Sequence, residues 1–179
     1  MALSKLLCFF VYFAGQMSDG MANSFFKFKQ FTIHQERSAM RVSTDGVLLG
    51  AWSRVEKSNR ILDIGTGTGL IAIMAAQRSL ARIDAVELDF GAASEAAFNV
   101  SLSPWKDRIT VYCMDFCRFY SKEEVTCGYD EDQVLVIAVS ASGGSTRISE
   151  ILEKANKMGV HSMLISNNPA SSGAKVAKH

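Results

Sequence analysis

The chain has 179 residues, 48% hydrophobic and 21% charged, with a formal net charge of +1. This length suits one domain with its own core and is too short for two of ordinary size. The near-neutral charge excludes a global basic field that would recruit nucleic acid, so any basic surface must be local. The four cysteines include no Cys-x-x-Cys pair and have no histidine at ligand spacing. We therefore expect no metal site, no disulfide framework, and a reducing, cytoplasmic setting.

Residues 1–22 are predicted to be a disordered leader. An apolar run of about ten residues, Leu6–Gly15, follows Lys5. This run is too short to span a membrane, for which about 20 apolar residues are needed. It would also fit the core of a signal peptide, although nothing downstream looks secreted.

Residues 23–120 are predicted to form the main part of the domain, and its first stretch, Asn23–Phe31, alternates apolar and basic residues. One interpretation is an edge strand whose lysines face outwards and discourage pairing with other strands. The other is a contact with nucleic acid, because aromatic rings stack on bases while Lys27 and Lys29 neutralise phosphates. This stretch by itself favours the edge strand.

A short helix, Val47–Trp52, is predicted next. It follows Ser43, Thr44 and Asp45, whose side-chain oxygens are of the kind that cap helix N-termini. The helix leads into the stretch that carries the strongest signal.

That stretch is Arg60–Leu70, which reads Arg-Ile-Leu-Asp-Ile-Gly-Thr-Gly-Thr-Gly-Leu. Its apolar start is typical of a buried parallel strand, and Leu70–Gln77 is predicted to be a helix. Gly65, Gly67 and Gly69 lie between the two. Glycines let the backbone approach a ligand there, and the helix N-terminus offers free N–H groups.

Two acidic residues flank this loop. Asp63 lies on the strand just before it, and Glu87 ends the next predicted strand, Arg82–Glu87, about 20 residues further on. An acidic residue at this spacing usually binds ribose hydroxyls. The combination predicts a nucleotide-binding turn, with both residues among its candidates.

Two further elements complete this part, the helix Ala92–Val100 and the strand Arg108–Met114, with Asp115 directly after it. Cys113 in that strand is predicted to be a buried small hydrophobe. Asp115 would, on its own, be a turn or helix-capping residue. Strands alternating with helices predict an α/β fold, a right-handed, doubly wound, Rossmann-like parallel sheet in three α/β/α layers, with ligands at the C-terminal ends of the strands.

The Gly-x-Gly-x-Gly spacing after Leu-Asp-Ile resembles the first motif of S-adenosylmethionine (SAM)-dependent methyltransferases. Over about residues 25–120 the chain resembles the class I bacterial tRNA (adenine-N6)-methyltransferases, which modify the adenine beside the anticodon of a valine tRNA. Besides the glycine loop, the stretches that carry this resemblance, in order, are Phe28–Phe31, Ala39–Trp52, Asp84–Glu87 and Ser103–Ile109.

The resemblance implies that SAM is the cofactor and tRNA the substrate. Gly65–Gly69 would then face the amino-acid part of SAM, and Glu87 would bind its ribose. Thr44 and Asp45 would lie over the pocket, and Asp115 would meet the adenine N6 of SAM.

The resemblance stops after Tyr120. The next motif of that family, Asn-Pro-Pro-Tyr, holds the target base, and this chain contains no such string. The nearest one is Asn167–Ala170, which makes Asn167 and Pro169 the candidates for the catalytic role. We therefore expect a truncated methyltransferase that binds SAM and transfers the methyl group slowly or not at all.

The tail shows a second pattern. Residues 121–132 are a polar, acidic connection, and residues 133–179 are predicted to form a β-α-β segment. This segment resembles the middle of a sugar isomerase (SIS) phosphosugar-binding domain. Its hydroxyl residues would bind a phosphosugar or phosphate at a helix N-terminus; a helix cap and an inactive chimeric remnant are the alternatives. These residues are Ser140, Ser142, Ser145 and Thr146. We predict that the tail's strands join the others in one five-stranded sheet.

Overall fold

The computed structural model describes residues 6–11, 23–120, 134–139, 146–157, 161–165 and 169–177. The strands within these ranges are β1 (Leu6–Val11), β2 (Phe25–Lys27), β3 (Thr32–His34), β4 (Arg60–Ile64), β5 (Arg82–Glu87), β6 (Ile109–Cys113), β7 (Val134–Val139) and β8 (His161–Ile165). The helices are α1 (Thr44–Trp52), α2 (Leu70–Arg78), α3 (Phe90–Leu102), α4 (Phe116–Tyr120), α5 (Thr146–Lys157) and α6 (Ser172–Val176), with a 3-10 turn at Lys106–Arg108.

Six of the described strands form one sheet in the order β6-β5-β4-β1-β7-β8, and all its pairs are parallel. From β4 the chain moves outwards through β5 to β6, then returns to the other side of β1 for β7 and β8. The direction of winding therefore reverses once, as in other doubly wound sheets. The prediction of a doubly wound parallel sheet is confirmed.

The prediction of a disordered leader is wrong for Leu6–Val11. These residues form β1, which pairs with β4 on one side and with β7 on the other. The continuous apolar run Leu-Leu-Cys-Phe-Phe-Val is typical of strands in parallel sheets, which read as unbroken hydrophobic runs. The sheet consequently has six strands among the described residues, where five were expected.

Helices cover the sheet on two faces, which gives the expected three layers. On one face α1, α2 and α3 pack with the alternate residues Ile61 of β4 and Ile83 of β5. On the other face α4, α5 and α6 pack with Leu62 and Ile64. This division follows from the two-residue period of a strand, which sends neighbouring side chains to opposite faces.

The strands β2 and β3 form a separate antiparallel hairpin that packs on the first of these faces through Phe31 and Ile33. Only Phe25–Lys27 of the predicted edge strand Asn23–Phe31 is extended and paired. The hairpin is held to α3 rather than to the edge of the main sheet.

The prediction of a buried Cys113 is wrong, because its side chain is exposed. Cys113 is the last residue of β6, which in the described part of the chain is an edge strand paired with β5 alone. None of the helices described here is long and apolar enough to cross a membrane.

Candidate functional site

The glycine loop between β4 and α2 has the backbone conformation that only glycine adopts without strain. Gly65, Gly67 and Gly69 have φ angles of 73°, 55° and 81°, and residues with a Cβ atom are disfavoured there by about 1–2 kcal/mol. The Gly65 N–H donates to the Val86 carbonyl at 2.7 Å, and the Gly69 N–H donates to the Thr66 carbonyl at 2.9 Å. The loop is therefore fixed before any ligand arrives, and α2 starts directly after it.

Asp63 supports the loop from below. Its side chain is 1% exposed, and its Oδ2 accepts a hydrogen bond of 2.7 Å from the Thr66 hydroxyl. Burial raises the pKa of Asp63 to about 7, although the hydrogen bonds from Thr66 and from the Ala72 backbone act in the opposite direction. A buried carboxyl under the first turn of α2 fixes the loop position rather than meeting a ligand from solvent.

Glu87 reaches from the end of β5 onto the same loop. Its Oε2 accepts the Gly67 N–H at 3.0 Å, while its Oε1 accepts the N–H groups of Leu88 at 2.8 Å and Asp89 at 3.0 Å. A carboxylate offers about four acceptor sites, so capacity remains for a hydroxyl. Glu87 therefore lies against the glycine loop with acceptor capacity that the backbone does not use.

Thr44 and Asp45 lie beside the loop as well. Ser43 caps α1 by accepting the Gly46 N–H at 3.2 Å, which starts the helix at Thr44, earlier than predicted. A Cβ on Gly46 would lie 3.5 Å from the Leu70 side chain. Because Leu70 is the first residue of α2, the N-termini of α1 and α2 are adjacent, and the exposed Thr44 and Asp45 stand at this rim.

Asp115 completes the edge formed by the strand ends. The Met114 N–H donates to the Glu87 carbonyl at 2.9 Å, so the residue after it lies next to the end of β5. The Asp115 carbonyl also accepts the N–H groups of Arg118 and Phe119 and so begins α4. The C-terminal ends of β4, β5 and β6 therefore bring the glycine loop, Glu87 and Asp115 together.

Glu95 on α3 accepts a set of backbone hydrogen bonds that was not predicted from the sequence, and we call this set the clamp on α3. Glu95 Oε1 accepts the N–H groups of Glu36 at 2.6 Å and Arg37 at 2.9 Å, and its Oε2 accepts that of Ser38 at 2.8 Å. Burial acts to raise the pKa of Glu95, but the hydrogen bonds from Ser38, Arg37 and Glu36 outweigh it and leave the pKa lowered. The segment after the hairpin is thereby fastened to α3.

Asn99, one turn further along α3, joins the hairpin to the glycine loop. Its Oδ1 accepts the His34 N–H at 2.8 Å, and its Nδ2 donates to the carbonyls of His34 at 2.8 Å and Thr68 at 2.9 Å. Asn99 is fully buried, and both its amide oxygen and its amide nitrogen have hydrogen-bond partners. The available signal was the spacing of four between Glu95 and Asn99 on an alanine-rich helix face.

The remaining candidates lie elsewhere. Lys27 and Lys29 are exposed on and just after the hairpin strand β2, Thr146 is the exposed first residue of α5, and Pro169 lies in an exposed turn. The predicted site residues Ser140, Ser142, Ser145 and Asn167 lie outside the described residues. In the described part of the chain no group of three or more His, Cys, Asp or Glu side chains could hold a metal ion.

Solved methyltransferase structures share this fold. An O-methyltransferase from Bacillus cereus in complex with SAH superposes with a TM-score of 0.54 at 22% sequence identity, covering 76% of this chain and 62% of that one. A SAM-dependent methyltransferase from Agrobacterium tumefaciens superposes with a TM-score of 0.51 at 17% identity, covering 69% and 42%. At these identities the likeness shows the fold alone.

Curated relatives are much closer in sequence. A Bacteroides fragilis protein named tRNA1(Val) (adenine(37)-N6)-methyltransferase is 56% identical over 110 residues, which is 62% of this chain and 46% of that protein. A protein of the same name from Aeromonas hydrophila is 59% identical over 91 residues, 50% of this chain and 39% of that one. The chain thus spans less than half the length of these relatives.

The model of the family described as "Ribosomal protein L11 methyltransferase (PrmA)" matches residues 43–162. This match includes β7 and α5, which the sequence analysis compared with a sugar isomerase domain, and none of these comparisons supports that alternative. The match to the family model covers two thirds of the chain, including the glycine loop, Glu87 and Asp115. The chain belongs to the ribosomal protein L11 methyltransferase (PrmA) family.

Proposed function

We propose that this chain is a SAM-dependent methyltransferase whose substrate is the N6 amino group of an adenine in tRNA. The cofactor part of the proposal rests on one observation, the contact between Glu87 and the loop that starts α2. Three glycines with positive φ leave the loop open to a ligand, and Glu87 already grips it through the Gly67 N–H. A carboxylate-bearing cofactor with a ribose fits a helix N-terminus beside an acidic acceptor.

Within this site each residue has a separate task. The N–H groups at the start of α2 would bind the carboxylate of SAM, and Glu87 would accept the ribose hydroxyls. Asp63 would act indirectly by fixing Thr66, whose hydroxyl it binds. Thr44 and Asp45 would close the pocket from the start of α1, and Asp115 would accept from the adenine amino group of the cofactor.

The substrate part of the proposal rests on the relatives. The description of the family model names ribosomal protein L11. The proteins that are 56–59% identical to this chain are instead named for a valine tRNA. Identity at that level carries more information on substrate than membership of a broad family, so we assign tRNA, in the cytoplasm. The exposed Lys27 and Lys29 would contact its phosphates.

SAM, when bound, would supply an activated methyl group for transfer to the adenine amino group, which would leave S-adenosylhomocysteine and release a proton. The protein's contribution is then proximity and in-line orientation, which can be worth about 7–11 kcal/mol in favourable cases. The target adenine would leave its stack to reach the site. The chain contains no Asn-Pro-Pro-Tyr string to hold that base. We therefore expect methyl transfer to be at least about 100-fold slower than in an enzyme that holds its target base.

Calorimetric titration with SAM and with its demethylated product, S-adenosylhomocysteine, tests the cofactor site. Radiolabelled SAM with unmodified valine tRNA tests the transfer. A sugar phosphate, the ligand of the alternative site at Thr146, serves as the control and should not bind. Binding of the sugar phosphate with none of SAM would overturn the proposal, and fast turnover would show that another segment, such as Asn167–Ala170, holds the base.

A further inference from the structure

The outer face of the β2–β3 hairpin carries aromatic rings that the cofactor site does not use. Phe25 pairs with His34 and Lys27 pairs with Thr32, whereas Phe26 lies opposite the fully buried Ile33. Alternation along a strand therefore directs Phe25 and Lys27 to the same side, away from the core. We call the surface formed by Phe25, Lys27, His34 and the neighbouring Phe98 of α3 the aromatic–lysine face.

The rings of this face form a continuous row. The ring of His34 lies 6.3 Å from that of Phe25 and 5.1 Å, edge to face, from that of Phe98. Phe25 is 50% exposed and Phe98 is 51% exposed. Single exposed apolar residues need no explanation, but a contiguous aromatic patch marks an interaction site.

The charge around the face identifies the kind of partner. Residues 23–42 contain Lys27, Lys29, Arg37 and Arg41 against Glu36. This gives the segment a net charge of +3, compared with +1 for the whole chain. Exposed rings with local positive charge match unpaired nucleotides, because bases stack on aromatic side chains while lysine neutralises the phosphates. The exposed rings beside these cations favour a nucleic acid over an acidic protein, because bases supply flat faces for stacking as well as phosphates.

The backbone beneath the rings is fixed relative to the cofactor loop. Asn99 binds both the N–H and the carbonyl of His34, and the same amide group donates to the Thr68 carbonyl of the loop. One side chain thus joins the backbone of His34 to Thr68 of the glycine loop. Nucleotides stacked on these rings would be held on a segment that is fixed to that loop.

We propose that Phe25, His34 and Phe98 form a stacking surface for the unpaired nucleotides that flank the target adenine, with Lys27 on their phosphates. This inference rests on the proposed function for the class of substrate, RNA. It adds three residues and a binding mode that neither the family nor the cofactor site defines.

The test uses an RNA hairpin with an unpaired loop that contains 2-aminopurine, whose fluorescence falls when it stacks. Phe25→Ala and Phe98→Ala should each weaken binding at least about fivefold and reduce the quenching, since one base stacked on one ring contributes at this level. Lys27→Ala should lower the salt dependence of binding by about one ion. Trp52→Ala and Lys57→Ala, which alter exposed residues outside the face, should bind within twofold of the wild type.

S-adenosylhomocysteine affinity, measured for each variant, separates this inference from the proposed function. It should stay unchanged in Phe25→Ala and Phe98→Ala, and thermal melting should confirm that both fold. If both bind the hairpin as the wild type does, or if the wild type prefers a fully paired duplex, the stacking surface is wrong while the cofactor site stands. If the wild type binds S-adenosylhomocysteine but no RNA, both the surface and the assigned substrate class fail.

Discussion

Glu87 binds the backbone of the glycine loop, and in the proposed function it also accepts the ribose hydroxyls of the cofactor. In the described structure it binds three backbone N–H groups, including that of Gly67 in the glycine loop. A ribose that arrived there would share an acceptor already oriented by the protein, so little rearrangement is needed on binding. Such preorganisation reduces the entropic cost of association.

Glu87→Ala should therefore weaken SAM binding by about 1–3 kcal/mol, because ribose hydroxyls lose a charged acceptor. Calorimetry gives the affinity, and thermal melting separates this loss from a general destabilisation of the loop. Glu56→Ala is the matched control, since Glu56 is an exposed carboxylate paired with Arg78. Equal affinities for Glu87→Ala and the wild type would remove Glu87 from the site.

Asp63 predicts a pH dependence of stability. Burial raises its pKa to about 7, above the ~3.9 of an aspartate in an unfolded chain. The folded protein then binds this proton more tightly than the unfolded chain, so the Asp63 contribution to the free energy of unfolding falls as pH rises from about 4 to about 7. Asp63→Asn should remove this decline, as urea unfolding at several pH values would show.

Glu95 acts in the opposite sense and over a different pH range. Hydrogen bonds hold its pKa below the usual value of a glutamate, so its stabilising contribution is present above that usual value and is lost as pH falls through the folded pKa. The two ranges do not coincide, which allows the Asp63 contribution to be measured by itself. A decline between pH 4 and 7 that persists unchanged in Asp63→Asn would contradict the assignment.

At the scale of elements, α3 organises the first half of the chain by hydrogen bonds as well as by packing. Half of the residues on its buried face are alanines, whose small side chains let the helix lie close to the hairpin and to the loop. Glu95 and Asn99 interrupt that face, and both bind backbone groups of segments far away in sequence. The segment that carries Thr44 and Asp45 is thus positioned from α3.

Glu95→Ala should lower the free energy of unfolding by about 1.5–3 kcal/mol, because three backbone N–H groups lose a charged acceptor. Glu95→Gln should cost less, since one of its two terminal atoms still accepts while the other is a donor facing a donor. Urea denaturation gives both values, with Ser101→Ala on the exposed side of α3 expected within about 0.5 kcal/mol of the wild type. Equal stability of the two Glu95 variants would contradict the expectation that Glu95→Ala costs more than Glu95→Gln.

The elements around the glycine loop could be predicted because their signals are local. An apolar run, three spaced glycines and an apolar helix specify β4 and α2 within the loop's own sequence, and Glu87 follows at a fixed spacing. The clamp on α3 could not be predicted from the sequence. The partners of Glu95 are 57 to 59 residues away, and they are backbone groups, which every sequence offers. Cys113 was misjudged for a similar reason, since burial depends on whether a strand has two neighbours or one.

At the scale of the whole molecule, the main uncertainty in the sequence was the position of Leu6–Val11. Its apolar run fits a signal-peptide core and a buried strand equally well. Only the presence of two parallel partners, β4 and β7, distinguishes the two. These partner strands are more than 50 and more than 120 positions away in the chain. A local sequence pattern therefore cannot indicate them.

The structure therefore predicts that this strand supports the whole sheet. Phe9→Pro should destabilise the protein by about 1–3 kcal/mol, because proline removes a ladder hydrogen bond within a strand paired on both sides and leaves its acceptor without a partner. Phe9→Val, which keeps a good strand-forming residue, is the matched control and should lose much less. Chemical denaturation measures both. Comparable stability of Phe9→Pro and Phe9→Val would show that the sheet does not depend on β1.

The central position of β1 also has a consequence for the order in which the protein is made. β1 is synthesised before its second partner, β7, which ends at Val139, 128 positions after Val11. At about 5–20 residues per second this interval is on the order of ten seconds. During that time one edge of an apolar strand has no partner to pair with, which is the condition under which nascent chains aggregate or recruit chaperones. A strand that is made well before its second partner is thus paired on both sides only late in synthesis.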